Sequence, residues 1–247
     1  LFGLTNHSIV FIILVMRSIW RTLDRDLARD IGLVCLADCI VGVSYGAIAV
    51  GSGFPIWAPM LLSLVVFAGA SQFMFIGIVA SGGNPIAAVV AGLLVNARHL
   101  PFGFAIGDVL GKSWARRLVG THLMIDENVA FALAQRDADR RRAAYWACGI
   151  GLFVCWNAGV VAGAFAGTAI ADTSAFGLDA AFPAVLLALV LPALRDKATR
   201  LPVAIGVVVA LATTPFLPAG LPVLLALVGV LAGIAAKDPE RETEGAH

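Results

Sequence analysis

Ser71, Gln72, Asn96, Arg98 and His99 are the side chains best placed to do chemistry, because each interrupts a long apolar stretch. Ser71 and Gln72 lie in VVFAGASQFMF, within residues 55–80, a run without a charged side chain. Asn96, Arg98 and His99, followed by Pro101, lie in GLLVNARHLPFGF, near the centre of residues 84–110. An arginine at the centre of a lipid-embedded helix costs about 2.5–3.5 kcal/mol on insertion scales, so it faces protein or a water-filled path. Together these side chains offer what a small zwitterion needs. Arg98 can hold a carboxylate through two parallel hydrogen bonds, Gln72 and Asn96 can bridge to an ammonium, and apolar neighbours can receive an aliphatic group.

A second set lies in VGTHLMIDENVAFALAQ, residues 119–135. His122 and Asp126 are four residues apart, which places them on one face of a continuous helix, with Glu127 beside them. His99, Asp126 and Glu127 are the candidates for carrying a coupling proton. Each residue also has a purely structural reading. Ser71 and Gln72 would satisfy backbone groups freed at a helix break, Arg98 would snorkel to the membrane interface, His99 would be a neutral core histidine, and Asp126 and Glu127 would cap an interfacial helix. Asp38 and Asp179 read as structural, near helix ends.

The elements that must position these groups are membrane helices. Of 247 residues, 60% are hydrophobic and 13% charged, and the mean hydropathy is +0.93; soluble domains average about 45–50% and 25%. Apolar runs of about 20 residues without strand-period alternation predict an all-α, polytopic transmembrane protein of about 6–8 spans, some interrupted or re-entrant. A net charge of +1 gives no reason to expect nucleic acid. Cys35, Cys39, Cys148 and Cys155 all lie in apolar runs without a CxxC pattern, so they read as reduced packing residues and not as a metal site. No cofactor or P-loop motif is present. GVSYG at residues 42–46 has the G-x-S-x-G pattern, but within an apolar helix and not between a strand and a helix, so no enzyme is expected.

The chain divides into an N-terminal extension with an amphipathic basic stretch at 1–30, one transmembrane domain at 31–236, and a polar, disordered tail at 237–247. Residues 8–16 are apolar with Arg17 after them, the wrong order for a secretory signal, and read as a weak anchor or an extension. Arg17, Arg21, Arg25 and Arg29 recur every four residues, a stripe suited to an anionic membrane surface. Lys and Arg cluster at 17–29, 112–117, 136–142 and 195–200, and the positive-inside rule puts all four in the cytoplasm. Two topologies remain. Either residues 84–110 enter and turn back at NARHLP while 119–135 does not cross, or both cross and one basic loop is misplaced. The first is favoured, because Pro101 disfavours helix at residues 99–100.

Residues 31–110 and 143–236 repeat one order of clean span, interrupted span and Pro-broken segment, the second ending in TTPFLPAGLP. This suggests a two-fold internal repeat, the mark of a transporter with its site at the repeat interface. Gly42 and Gly46, and likewise Gly159, Gly163 and Gly167, are spaced by four and make grooves for another helix, either of this chain or of a partner.

FAGASQF from Phe67, NARHLPFG from Asn96, the pair Asp126 and Glu127, and GLDAAFPA from Gly177 resemble, in this order and spacing, the AzlC family, the large subunit of bacterial branched-chain amino-acid exporters. The likeness covers residues 31–236. It departs at NARH, where the family has NLRH, and at Asn128, where the family has a small or hydroxyl residue. The resemblance implies a multi-pass protein of the bacterial cytoplasmic membrane that exports leucine, isoleucine, valine and methionine with a small AzlD-type membrane subunit. A channel for small neutral solutes through the same polar breaks is the alternative.

Overall fold

The structure, a computed structural model, describes residues 22–111, 113–169, 193–217 and 221–237, with positions 187 and 191. Residues 1–21, Lys112, the GLDAAFPA motif with Asp179, and the tail from 238 lie outside the described residues. All regular elements among the described residues are helical. Three helical stretches, Arg25–Gly51, Pro85–Ala105 (interrupted at 97–98) and Ala138–Ala169, are long and apolar enough to cross a membrane, and the protein is a multi-pass membrane protein. The chain forms two compact units, residues 1–69 with 97–171 and residues 70–96 with 172–247.

In the first unit, helix α1 (Arg25–Gly51) starts where Asp24, in extended backbone, accepts the Leu27 N–H at 2.9 Å. That bond and the adjacent Arg140 hold the Asp24 carboxyl below its ordinary value. Residues 25–30 are thus the first turns of α1, and Asp38 falls at the helix's middle, not near an end as the sequence reading placed it. At the other end, the Phe54 N–H reaches back to the Ala49 carbonyl at 3.1 Å. Gly53 permits this turn at φ +91°, where a Cβ would be strained.

Helix α1 packs along α8 (Ala138–Ala169), and the glycines explain how closely. A Cβ at Gly42 would lie 2.8 Å from the Trp156 carbonyl oxygen, one at Gly167 2.9 Å from that of Ala47, and one at Gly163 would strike the Val43 carbonyl. The register runs from Cys35 against Gly151 to Ala47 against Gly167, so the two helices run in the same direction. Both small-residue grooves are therefore filled by each other. The Gly159 to Gly167 face is not open to a partner subunit.

After α1 comes α2 (Trp57–Val65), which ends in the interrupted segment. Val66 leaves helical geometry at φ −119°, ψ 81°, the Ala68 N–H turns to the Val66 carbonyl at 2.8 Å, and α3 (Gly69–Ala80) begins afresh. Side chains take over from the missing helical bonds. His122 Nε2 lies 2.9 Å from the Leu64 carbonyl oxygen. Buried Ser63 shares its hydroxyl proton between the Met60 carbonyl, at 2.8 Å, and Asn157 Oδ1, at 2.7 Å. The second break falls at residues 97–98, between α4 (Pro85–Asn96) and α5 (His99–Ala105). It precedes the 99–100 position expected from Pro101. Proline is accommodated as the third residue of α5, where a helix has no internal partner for its N–H.

Residues 119–135 do not form one helix. Helix α6 (Trp114–His122) and α7 (Asp126–Leu133) make a hairpin that turns at residues 123–125 and packs on the first turns of α8. The Tyr145 hydroxyl donates to the Gly120 carbonyl at 2.8 Å on one arm, Val129 and Ala132 pack around Tyr145 on the other, and Arg140 meets Gln135 beyond it. The residues on either side of the hairpin, 113–117 and 136–142, consequently lie at the same end of the unit. Arg141 adds residues 105–108 to that end, through the Ala105 carbonyl and through Asp108 at 3.5 Å, and Arg140 adds the start of α1.

In the second unit, Ile78, Ala88 and Ala91 join α3 to α4, with Leu224 of α10 (Leu221–Leu225) packed against them. Helix α9 (Lys197–Thr213), capped by Asp196 at the Ala198 N–H (3.0 Å), packs against α11 (Val228–Lys237). A Cβ at Gly206 would come within 2.8 Å of the Ala226 carbonyl.

Candidate functional site

The hairpin tip is built by Asn128, which is 0% exposed. Its Oδ1 accepts the Ile125 N–H at 3.0 Å and its Nδ2 donates to the Leu123 carbonyl at 2.8 Å, so one amide closes the turn and caps α7. The cap aims Asp126 and Glu127 into the first turn of α7, where the helix dipole favours carboxylates. Replacing Asn128 with Leu would keep the branched shape and orphan both backbone groups, at about 1–3 kcal/mol each. Asn128→Leu should therefore lower the melting temperature of the detergent-purified protein, and an unchanged melt would show that the turn does not depend on the amide.

Asp126 Oδ2 lies 3.0 Å from Arg98 Nη1, an ion pair between the hairpin tip and the break that starts α5. His99, the first residue of α5, sets its ring edge to face against Phe102 at 6.0 Å. Glu127 lies within electrostatic reach of Arg98 and His99. Of the predicted site residues, the first unit thus gathers Arg98, His99, Asp126 and Glu127. Ser71 and Gln72 belong to the second unit, both buried in the first turn of α3, with Ser71 packed on Gly92 of α4. Asn96 ends α4 one helical turn beyond Gly92, on the same face as it.

His122 does not share a face with Asp126. The helix stops between them because Asn128 draws the chain into the turn, and the His122 ring lies on Phe153 at 5.7 Å, beside the Leu64 carbonyl. Two residues escaped the sequence reading. Asn128 was noticed only as a departure from a family pattern, while Asp38 carried a usable signal, a charge within an apolar run, that counting the helix from Ile31 obscured.

The depth of the ion pair decides what it can do. Leu123 at the hairpin tip packs on Gly149, and His122 on Phe153. These levels are roughly 10–20 Å along α8 beyond its arginines, a third to two thirds of a hydrocarbon core of about 30 Å. The side chains of Arg98 and Asp126 are still 40% and 43% exposed. Charges this deep do not face lipid, so the exposed side belongs to a water-filled path or to another protein surface. An ion pair open on one side matches a zwitterion, whose carboxylate and ammonium can contact the arginine and the aspartate in turn. A cleft of about 510 Å³ between α9 and α11 is the contrasting case. It is walled by Pro202, Val203, Val207 and Val230 and lacks such paired charges.

Similarity to known proteins runs through this same region. The chain is 31% identical over 88 residues to the "Branched-chain amino acid transport protein AzlC" of Bacillus subtilis, covering 36% of this chain and 35% of that protein. It is 29% identical over 177 residues to an uncharacterized membrane protein of Archaeoglobus fulgidus, covering 71% of this chain and 78% of the relative. It is also 29% identical over 161 residues to the inner membrane protein YgaZ of Escherichia coli, covering 62% of each. The chain thus spans about a third of the Bacillus protein and under two thirds of the Escherichia one. No solved structure matches it. The AzlC family model matches residues 34–170, a stretch that includes both helix breaks, the hairpin, and the Arg98 and Asp126 pair. With more than half its length under that model, the chain belongs to the AzlC family.

Proposed function

We propose that the protein is a secondary transporter that exports branched-chain and related neutral aliphatic amino acids, among them leucine, isoleucine, valine and methionine, across the cytoplasmic membrane. The observation that carries this reading is the Arg98 and Asp126 ion pair, set at two helix interruptions and open on one side. In the proposed binding step, the substrate carboxylate takes the Arg98 fork and the ammonium takes Asp126, so the charges that leave each other are both repaid. Ser71, Gln72 and Asn96 supply further polar groups of the translocation path, with His99 and Glu127 as coupling groups beside Arg98. The printed name of the Bacillus relative supports the substrate class, and the absence of a G-x-x-x-x-G-K-[ST] loop from the sequence supports a driving gradient over ATP hydrolysis by this chain. A small AzlD-type subunit completes the exporter. It docks elsewhere than on the Gly159 to Gly167 face, which α1 occupies.

The test is counterflow. Proteoliposomes holding the complex and loaded with unlabelled leucine should take up labelled leucine saturably and faster than empty vesicles. A channel gives no such acceleration, and uptake that rises linearly with leucine at equal rates in both vesicles would overturn the transporter reading.

A further inference from the structure

Asp38 is a titratable group that the binding step above leaves unused. It lies halfway along α1, one of the helices long and apolar enough to cross the membrane. Its Oδ2 is buried and has no hydrogen-bond partner. Asp24, Asp108, Asp126 and Asp139 each have an arginine within 4.0 Å. Among the described residues, none pairs with Asp38. The titratable groups within electrostatic reach of it are Glu127 from α7, Cys148 and Cys155 from α8, and Cys35 on its own helix. None of these is a cation, and one is a second carboxyl. A carboxylate inside a spanning helix with no positive partner must be neutralised in another way. Sodium is poorly served here, because it seeks several oxygen ligands and three of the four neighbours are thiols. A proton needs only the one oxygen.

We propose that Asp38 is a proton-binding site, and that its proton is exchanged for the amino acid during export. This rests on the transport reading given above. Glu127 supplies the link, because it lies within electrostatic reach of Asp38 on one side and of Arg98, the partner of the adjacent Asp126, on the other. A substrate ammonium arriving at Asp126, next to Glu127, offsets the negative field that Glu127 exerts at Asp38 and so favours release of the proton. Proton and amino acid then occupy the protein alternately, which makes an inward proton gradient a driving force for outward movement.

The complex is reconstituted in proteoliposomes with an interior one pH unit more acid than the exterior and the membrane potential clamped at zero. One proton exchanged per leucine then permits accumulation of about tenfold, since one pH unit is a factor of ten in proton activity. The wild type should approach this, while Asp38→Asn should retain leucine-for-leucine counterflow and accumulate none. Asp38→Glu, which keeps a proton site, should still accumulate leucine but with a displaced pH profile, and it serves as the test if the Asn variant does not assemble. Wild-type protein without counterflow would overturn the transport reading and this inference with it. Counterflow without any response to the pH gradient, accumulation that follows a sodium gradient instead, or an Asp38→Asn variant that still concentrates leucine would overturn the proton site alone. An Asp38→Glu profile superimposable on the wild type would do the same.

Discussion

Gly163→Leu should leave little folded, monodisperse protein after detergent extraction. The Cβ alone would run into the Val43 carbonyl oxygen, and the neighbouring contacts are to the Val43 Cα and carbonyl carbon, at 2.8 and 2.7 Å from it. Backbone cannot rotate aside as a side chain can, so α1 and α8 would have to separate along the crossing that also holds Gly42, Gly46, Gly159 and Gly167. Overpacking a core by a few methylenes costs about 1–3 kcal/mol when side chains can adjust, and this case should exceed that range. Domain stabilities are only about 5–15 kcal/mol, so the loss is a large share of what is available. Gly32→Leu is the matched control, on the same helix but with nothing within 4 Å of its Cβ position. Size-exclusion profiles and thermal melts of the two variants beside the wild type decide the point. A Gly163→Leu melt equal to that of Gly32→Leu would mean that the crossing is looser than the glycine contacts require.

The glycine spacing was legible in the sequence, but its partner was not. Repeats of four on both helices declare grooves, and a groove does not name its occupant. Only the register of Cys35 against Gly151 and Ala47 against Gly167 shows that the two fill one another. The helical class was likewise readable, and so was the neighbourhood of both interruptions, but they fall at 66–68, before Ser71 and Gln72, and at 97–98, before the position expected from Pro101. The 123–125 turn was not readable. A pattern of four residues between His122 and Asp126 presumes a continuous helix, and the Asn128 amide, competing for the backbone groups of residues 123 and 125, overrides it. Side chains four apart in sequence thereby part company, while Arg98 and Asp126, twenty-eight positions apart, meet at 3.0 Å. Long-range pairing of this kind leaves no periodic trace. What the sequence could supply was the expectation that each charge, if buried at depth, needs a counterpart.

Substitutions at that pair should separate assembly from transport. With about two fifths of each side chain exposed, the ion pair stabilises the fold by at most about 1 kcal/mol, so Arg98→Lys should purify and melt like the wild type. Leucine binding should nevertheless weaken. Lysine offers a point charge where arginine offers a planar fork, and losing one of two charge-assisted hydrogen bonds, each worth about 1.5–3 kcal/mol, corresponds to roughly a ten- to hundredfold loss of affinity. The reversed pair, Arg98→Asp with Asp126→Arg, sharpens the distinction. A purely structural salt bridge would be restored by the reversal, whereas a site that reads a zwitterion would receive it with carboxylate and ammonium exchanged, and so with the aliphatic side chain turned from its wild-type direction. Leucine counterflow should therefore remain absent in the doubly substituted protein even where its melt recovers. Wild-type affinity in Arg98→Lys would remove the bidentate carboxylate contact from the binding step and shift the search to Gln72 and Asn96, and recovery of counterflow in the reversed pair would reduce Arg98 and Asp126 to a brace between α5 and the hairpin.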